Sequence, residues 1–215
     1  PMHDLPWNPE ITLCTVSKIL KSFPLDSAPG PSGLRVQHLL EALTPSQGSA
    51  VTEQLTQVVQ LLAQGGAPEE LAEDFAGAKL LALQKPKGGI RPIAIGEVLR
   101  RIVGKCLCNT VKEDAQRFFE PLQVGVACKL GIDAAVHSCR KWTELHQQSR
   151  QKALLKIDFS NAFNCVNRDV VLSQVRSAFP ALSRWVTWCY AKPSKLVFGA
   201  QTVTSATGVQ QGDPL

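Results

Sequence analysis

The sequence predicts an α+β fold in which an antiparallel sheet packs against helices. Several segments carry apolar residues at helical spacing, and two pairs of short apolar runs flank turn residues as β-hairpins do. These elements do not alternate regularly as β-α-β units would. With 215 residues, 44% hydrophobic and 19% charged, the chain is long enough for one large domain or two small ones.

The first third of the chain is predicted to be helical. The Pro- and Gly-rich stretch PLDSAPGPSG, residues 24–33, interrupts the pattern. Apolar spacing predicts helices over residues 11–22, 34–43 and 51–64. The third of these is predicted to bury one face, made of Val51, Leu55, Val58 and Leu62.

A basic hairpin and further helices are predicted next. AKLLALQK (78–85) and IRPIAI (90–95) flank a Pro-Gly turn. One long helix is predicted over 96–119 and another over 131–148.

The last third combines a strand, two helices and a second hairpin. The strand ALLKID ends at Asp158, and Asn167 is predicted to cap a helix that stops before Pro180. A further helix is predicted over 181–191 and the hairpin over 195–209.

The net charge of +5 is unevenly distributed. A set of cations has few acidic residues nearby in sequence, among them Glu97 and Asp114; it comprises Lys85, Lys87, Arg91, Arg100, Arg101, Lys105 and Lys112. A polyanionic partner is one interpretation, because clustered cations neutralise phosphates. A solvated helix face is the other.

The seven cysteines form no Cys-x-x-Cys pair, so we expect free and mostly buried thiols. His137, Cys128 and Cys139 fall short of a zinc set. No apolar run approaches the ~20 residues of a membrane span, so we expect a soluble intracellular protein, with the nucleus as a candidate compartment. Because it starts at Pro1 and stops after a turn signal, we also expect a segment of a longer polypeptide.

Asp158 is the first candidate for chemistry. A carboxylate at the exit of a buried strand needs a partner, and either backbone N–H groups of the following turn or a metal ion satisfies that need. Phe163 follows five positions later, either as a core ring or as the wall of a site. Asp213 is interpreted as a turn residue.

Three motifs in this order resemble the reverse transcriptase domain of non-long-terminal-repeat retrotransposons, with group II intron enzymes as cousins. They are KPKGGIRPI, DFSNAF and GVQQGDPL, preceded by the similar segment SAPGPSGLRVQHLLEAL. The resemblance implies the fingers and part of the palm of a right-hand polymerase. It divides the chain into a helical extension and start of the fingers (1–75), fingers (76–150) and partial palm (151–215).

The implied activity is the transfer of deoxynucleotides to the 3′-hydroxyl of a DNA primer, with an RNA strand as the template. The resemblance makes Asp158 the ligand of two Mg²⁺ ions, with the backbone carbonyl of Phe159 helping. It also implies that the backbone N–H groups of Asn161 and Ala162 face the triphosphate.

The resemblance also assigns the nucleotide pocket. Phe163 becomes the wall that excludes a ribose 2′-hydroxyl, and Lys85 and Arg91 bind the β and γ phosphates, with Lys87 competing for the role of Lys85. Gln211 and Gly212 line the pocket.

Two departures qualify the resemblance. Asn164 stands where relatives commonly have aspartate, and the family's next motif, an aromatic-x-Asp-Asp turn, is not in this sequence. A fragment inactive alone is therefore expected. A non-catalytic nucleic-acid-binding remnant and an RNA-templated RNA polymerase remain as alternatives, and Phe163 disfavours the second.

Overall fold

In a computed structural model, residues 2–86 and 88–214 are described. They form two compact units. The larger unit combines the residues up to Thr110 with those from Ala162 onward, and the smaller unit is Val111–Asn161. The domain boundaries predicted at residues 75 and 150 stay a prediction.

The larger unit contains eight α-helices and four strands among its described residues, and the smaller unit contains two helices. In chain order the helices are α1 (Leu13–Lys21), α2 (Val36–Glu41), α3 (Gly48–Ala63), α4 (Ala72–Phe75), α5 (Val98–Thr110), α6 (Lys112–Phe119), α7 (Gly131–His146), α8 (Ala162–Cys165), α9 (Arg168–Ala178) and α10 (Ser183–Tyr190). The strands are β1 (Ala78–Gln84), β2 (Ile90–Gly96), β3 (Ser194–Phe198) and β4 (Gln201–Ser205).

The four strands form one sheet in the order β2-β1-β3-β4. Both predicted hairpins are present, and each is antiparallel, with Leu81 opposite Ile93 in the first and Leu196 opposite Val203 in the second. The central pair β1 and β3 is parallel, with Ala78 opposite Leu196. The α+β class is therefore confirmed, but the sheet is mixed, because helical segments connect the two hairpins and bring β3 alongside β1 in the same direction.

The core of the larger unit lies where α1, α3, α5 and α10 meet. Fully buried side chains from these four helices include Leu20, Val59, Ile102 and Trp185. Burial of each contributes roughly 1.5–3 kcal/mol to folding. On α3 the buried residue is Val59 and not Val58, which is 41% exposed, so the predicted stripe is wrong by one position there.

Helix boundaries follow local side-chain chemistry. Asn167 caps α9 as predicted, because its side-chain oxygen accepts from the backbone N–H of Asp169 at 2.8 Å and of Val170 at 3.1 Å. The long helix predicted over 96–119 is instead split at Val111 into α5 and α6. Asn109, Thr110 and Val111 are all weak helix formers, which explains the break at this point.

The strand predicted over 153–158 is not formed. These residues are irregular, and Leu155 and Ile157 are 81% and 66% exposed. An apolar pattern forms a strand only when a neighbouring strand satisfies its backbone N–H and C=O groups. Within residues 2–86 and 88–214, none of the four paired strands offers this segment a partner.

All seven cysteines are free, as predicted, but only Cys106 and Cys189 are buried. Cys14, Cys139 and Cys165 are exposed, so the expectation of mostly buried thiols is wrong. No helix in the described part of the chain is long and apolar enough to cross a bilayer.

The buried thiols should be chemically inert in the folded chain. Burial raises the pKa of Cys106 and of Cys189 to about 12. At pH 8 both groups are therefore protonated, and the thiolate that attacks iodoacetamide is scarce. We expect mass spectrometry to show rapid labelling of Cys14, Cys139 and Cys165, with Cys106 and Cys189 labelled only after urea is added. Labelling of either buried thiol at the rate of the exposed ones would contradict this packing.

Candidate functional site

The predicted phosphate-binding cations lie on the first hairpin. Arg91 is on β2 opposite Leu83, and Lys85 follows β1, where its backbone N–H donates to Gly89 at 3.0 Å. Both side chains are exposed. Neither takes part in an ion pair between described residues. Lys87, which competes for the role of Lys85, lies outside the described residues.

The GVQQGDPL segment packs against the helix that follows DFSN. The backbone N–H of Val209 donates to the carbonyl of Phe163 at 2.7 Å, and that of Gly208 donates to Val166 at 3.1 Å. Gly208 has a φ of 68°, and a Cβ at this position would lie only 2.4 Å from the carbonyl oxygen of Asn164. Only glycine permits this approach, so two motifs that are about 45 residues apart in sequence are in direct contact.

The same segment then runs beside β2, which is one of the two edge strands of the sheet. Gly212 has a φ of 107°, and a Cβ added to it would lie 3.4 Å from the carbonyl oxygen of Ala94. Arg91 stands three positions before Ala94, about 10 Å along the strand. The larger unit thus brings together the hairpin, the α8 segment and the Gln211–Gly212 turn.

The predicted pocket residues of the larger unit are accessible. Phe163 in α8 is 52% exposed, Gly212 is exposed and Gln211 is partly buried. Ala162, the first residue of α8, is also exposed. Phe163 is therefore not the core ring that one sequence interpretation allowed.

The remaining predicted site residues belong to the smaller unit. Asp158, Phe159 and Asn161 all lie in the irregular stretch before α8 and are exposed, Phe159 by 76%. Asn161 has a φ of 54°, a left-handed conformation that asparagine tolerates better than most residues. Asp158 is thus carried by an exposed loop and not by the end of a buried strand.

A magnesium site would need oxygen ligands such as carboxylates. In the described part of the chain, no three His, Cys, Asp or Glu side chains lie close enough together to hold a metal ion. Magnesium usually uses one or two carboxylates together with substrate phosphates and water. The magnesium ligands that the resemblance assigns, Asp158 and the carbonyl of Phe159, therefore stay a prediction.

A buried ion pair that the sequence does not predict lies beneath the turn. Arg100 on α5 pairs with Asp213, and their side chains are only 1% and 2% exposed. Arg100 also donates to the carbonyl of Ala76, and the Tyr190 hydroxyl donates to Asp213 at 2.7 Å. Arg100 is therefore not part of a basic surface, and Asp213 is more than a turn residue.

The electrostatics of this cluster favour the ionised pair. Burial alone lowers the pKa of the Arg100 guanidinium, but the adjacent Asp213 carboxylate outweighs it, so the net pKa lies above its ordinary value. Burial also raises the pKa of the Tyr190 hydroxyl, so it stays a hydrogen-bond donor at neutral pH. One feature of the sequence indicates that Arg100 is buried. It stands three residues before Val103 and seven before Leu107, which places it on the apolar face of α5.

A second buried arginine holds the loop before the turn. Arg168 donates to the carbonyl of Gly208 at 2.7 Å and to the Ser205 hydroxyl at 2.8 Å, and its guanidinium lies 5.3 Å from the centre of the Tyr190 ring. It therefore links the end of β4 to the start of the GVQQGDPL segment.

Hydrogen bonds connect the loop of residues 24–33 to residues that follow β2. Ser32 donates to the Glu97 carboxylate twice, from its backbone N–H at 2.7 Å and from its hydroxyl at 2.6 Å. Arg101 donates to the carbonyl of Ala28 at 2.6 Å. Arg101 and Glu97, which counted as surface charges in the sequence, thus hold a loop in place.

A cavity of about 310 Å³ adjoins the start of α9, but it does not contain the predicted site. Among its lining residues are Arg168, Tyr190 and Lys192. Lys192 pairs with Glu69 at 2.6 Å, and all three guanidinium nitrogens of Arg168 donate to the protein. This cavity therefore offers no unpaired cation to a ligand.

Gly208→Ala should destabilise the chain through the contact with Asn164. Gly199→Ala is the matched control, because Gly199 has a similar φ of 59° but no atom within 4 Å of an added Cβ. We expect Gly199→Ala to cost about 1–2 kcal/mol of unfolding free energy from backbone strain. Gly208→Ala should cost about 1–3 kcal/mol more, from the clash. Urea unfolding measures both, and equal losses would show that the close approach is absent.

No protein-family model matches the chain, and no curated protein is significantly similar to it.

Proposed function

We propose that this chain supplies the nucleotide-binding fingers and part of the palm of an RNA-directed DNA polymerase of the retrotransposon type. Its substrates are a deoxynucleoside triphosphate, an RNA template and a DNA primer. The observation that carries the proposal is that the GVQQGDPL segment contacts both the α8 segment, through Gly208 and Val209, and β2, through Gly212. The three motifs that resemble a reverse transcriptase are the segments concerned.

The triphosphate is bound by the first hairpin in this proposal. Lys85 and Arg91 are exposed and have no acidic partner among the described residues, so their charges are available to phosphate oxygens. A guanidinium such as Arg91 donates two parallel hydrogen bonds to a phosphate, and a lysine acts as a point charge.

The sugar is selected by Phe163. Its ring is half exposed, while its backbone carbonyl is held by Val209, so the ring has a fixed attachment and an accessible surface. A bulky aromatic ring against the sugar excludes a 2′-hydroxyl by simple overlap. Gln211 and Gly212 complete the pocket, with the missing side chain of Gly212 allowing close approach of the nucleotide.

Asp158 and the carbonyl of Phe159 are the proposed magnesium ligands. Oxygen ligands of this kind bind the ion together with triphosphate oxygens. The ion would neutralise charge on the phosphates during transfer. Asn161 and Ala162 have the proposed role of offering backbone N–H groups to the triphosphate.

Primer extension tests the proposal directly. The chain is incubated with magnesium, a DNA primer annealed to RNA, and deoxynucleotides, and dNTP binding is measured in parallel with a fluorescent nucleotide. We expect the wild-type chain to bind dNTP and the Asp158→Asn variant to bind it more weakly. Extension of the primer would show in addition that the chain is active alone. Asp169→Asn is the control, because Asp169 is an exposed acid on α9 outside the proposed site. Absence of both dNTP binding and extension would refute the proposal.

A non-catalytic nucleic-acid-binding protein is the second candidate. The exposed cations of the hairpin favour it, since phosphate contacts alone give salt-dependent binding to RNA or DNA. RNA binding that weakens steeply with salt, without any dNTP binding, would identify this candidate.

Phe163→Ala should reduce the preference for deoxynucleotides over ribonucleotides. The side chain is half exposed, so we expect little loss of stability. The ratio of the dNTP and rNTP affinities, or of kcat/KM values, measures the effect. Phe198→Ala is the control, because Phe198 is a comparably exposed ring at the end of β3. An unchanged ratio in Phe163→Ala would remove Phe163 from the site.

Arg91→Ala should weaken dNTP binding by roughly ten- to a hundredfold, since a charge-assisted hydrogen bond contributes about 1.5–3 kcal/mol. The effect should appear in KM or Kd more than in kcat. Arg176→Ala removes an exposed arginine of α9 instead and should have no effect. Equal behaviour of the two variants would contradict the phosphate-binding role of Arg91.

A further inference from the structure

Two anchors bracket the Gln211–Gly212 turn. On one side, Asp213 pairs with Arg100 and accepts from the Tyr190 hydroxyl at 2.7 Å. On the other side, the backbone N–H of Gln210 donates to the same Tyr190 hydroxyl at 3.3 Å. Residues 210 and 213 are therefore held by one shared hydroxyl group.

The carbonyl of Ala76 is a second shared anchor. It accepts from Arg100 and also from the side-chain nitrogen of Gln210 at 2.8 Å. Ala76 lies just before β1, so these hydrogen bonds connect the turn to the start of that strand. A cyclic set of contacts results, in which Arg100 touches both the carbonyl that holds Gln210 and the carboxylate of Asp213.

The bracketed residues differ from their anchors. Gln210 and the Asp213 side chain are buried, whereas Gly212 is exposed and Gln211 is only partly buried. The buried network thus ends at the two residues that face outward. Buried charges of this kind often contribute little net stability compared with apolar packing, and can instead select one conformation.

We propose that Arg100 is a positioning residue that, through Asp213 and Tyr190, holds the Gln211–Gly212 turn beside β2 and so sets the affinity of the site for deoxynucleoside triphosphates. The part concerning affinity rests on the proposed function. The part concerning the turn does not, because it predicts a local conformational effect in the chain without nucleotide.

The main variant is Asp213→Asn, which keeps the size of the side chain and removes its charge. Tyr190→Phe is the milder variant, because it removes only the hydroxyl that joins the two anchors. Asp114→Asn is the matched control: it removes the carboxylate of an exposed ion pair with Arg117 in the smaller unit. Gly199→Ala serves as a control for general loss of stability.

Amide hydrogen exchange gives the first readout. In Asp213→Asn we expect exchange in residues 208–213 to accelerate about tenfold, as for a lost hydrogen bond to a charged group, while the β3–β4 hairpin keeps its protection. Tyr190→Phe should show the same pattern with a smaller change. Uniform acceleration along the larger unit, as in Gly199→Ala, would overturn the positioning role and leave only a structural one.

Nucleotide affinity gives the second readout. We expect the Kd or KM for dNTP to rise about tenfold in Asp213→Asn while kcat changes less, with no change in Asp114→Asn. If the wild type binds dNTP and Asp213→Asn binds it with the same Kd, the link between the network and the site is overturned. Faster exchange in Asp213→Asn, together with no dNTP binding by the wild type, refutes the proposed function and with it the effect on affinity. The conformational role of the Arg100–Asp213 pair then stands.

Discussion

The buried ion pair between Arg100 and Asp213 is the interaction on which the rest of the larger unit depends. It joins α5 to the end of the GVQQGDPL segment, and its contacts extend to Ala76 and Tyr190. A charge this deeply buried is stable only when it is paired. The pair therefore restricts how α5, α10 and the last described residues can be arranged.

The larger unit that contains this pair also carries several residues with a proposed role in nucleotide binding. The hairpin extends from β1 and β2 with Arg91 near its tip, while the base of β2 lies against Gly212. Gly208 and the Phe163 carbonyl connect the same segment to α8. A fixed base with an exposed tip is what the proposed triphosphate site requires, because binding then orders few protein groups.

The smaller unit has a different character. Few of its side chains are buried, and its ion pairs, such as Arg117 with Asp114, are on the surface, where they contribute little stability. Asp158 stands in its irregular final stretch, among exposed apolar residues. Local order there depends on few contacts, in contrast to the turn around Gln211, where Arg100, Tyr190 and the Ala76 carbonyl hydrogen-bond to Gln210 or Asp213.

The sequence by itself determined the α+β class, both hairpins, most helices and the cap at Asn167, because periodicity, turn residues and capping are local properties. It also singled out the motifs around Lys85, Phe163 and Gln211. Only the tertiary structure decided that β1 and β3 run parallel, that residues 153–158 lack a strand partner, and that Arg100 is buried with Asp213. Each of these depends on a partner far away in the chain. Periodicity and propensity do not indicate which distant groups will hydrogen-bond to a strand or pair with a buried charge.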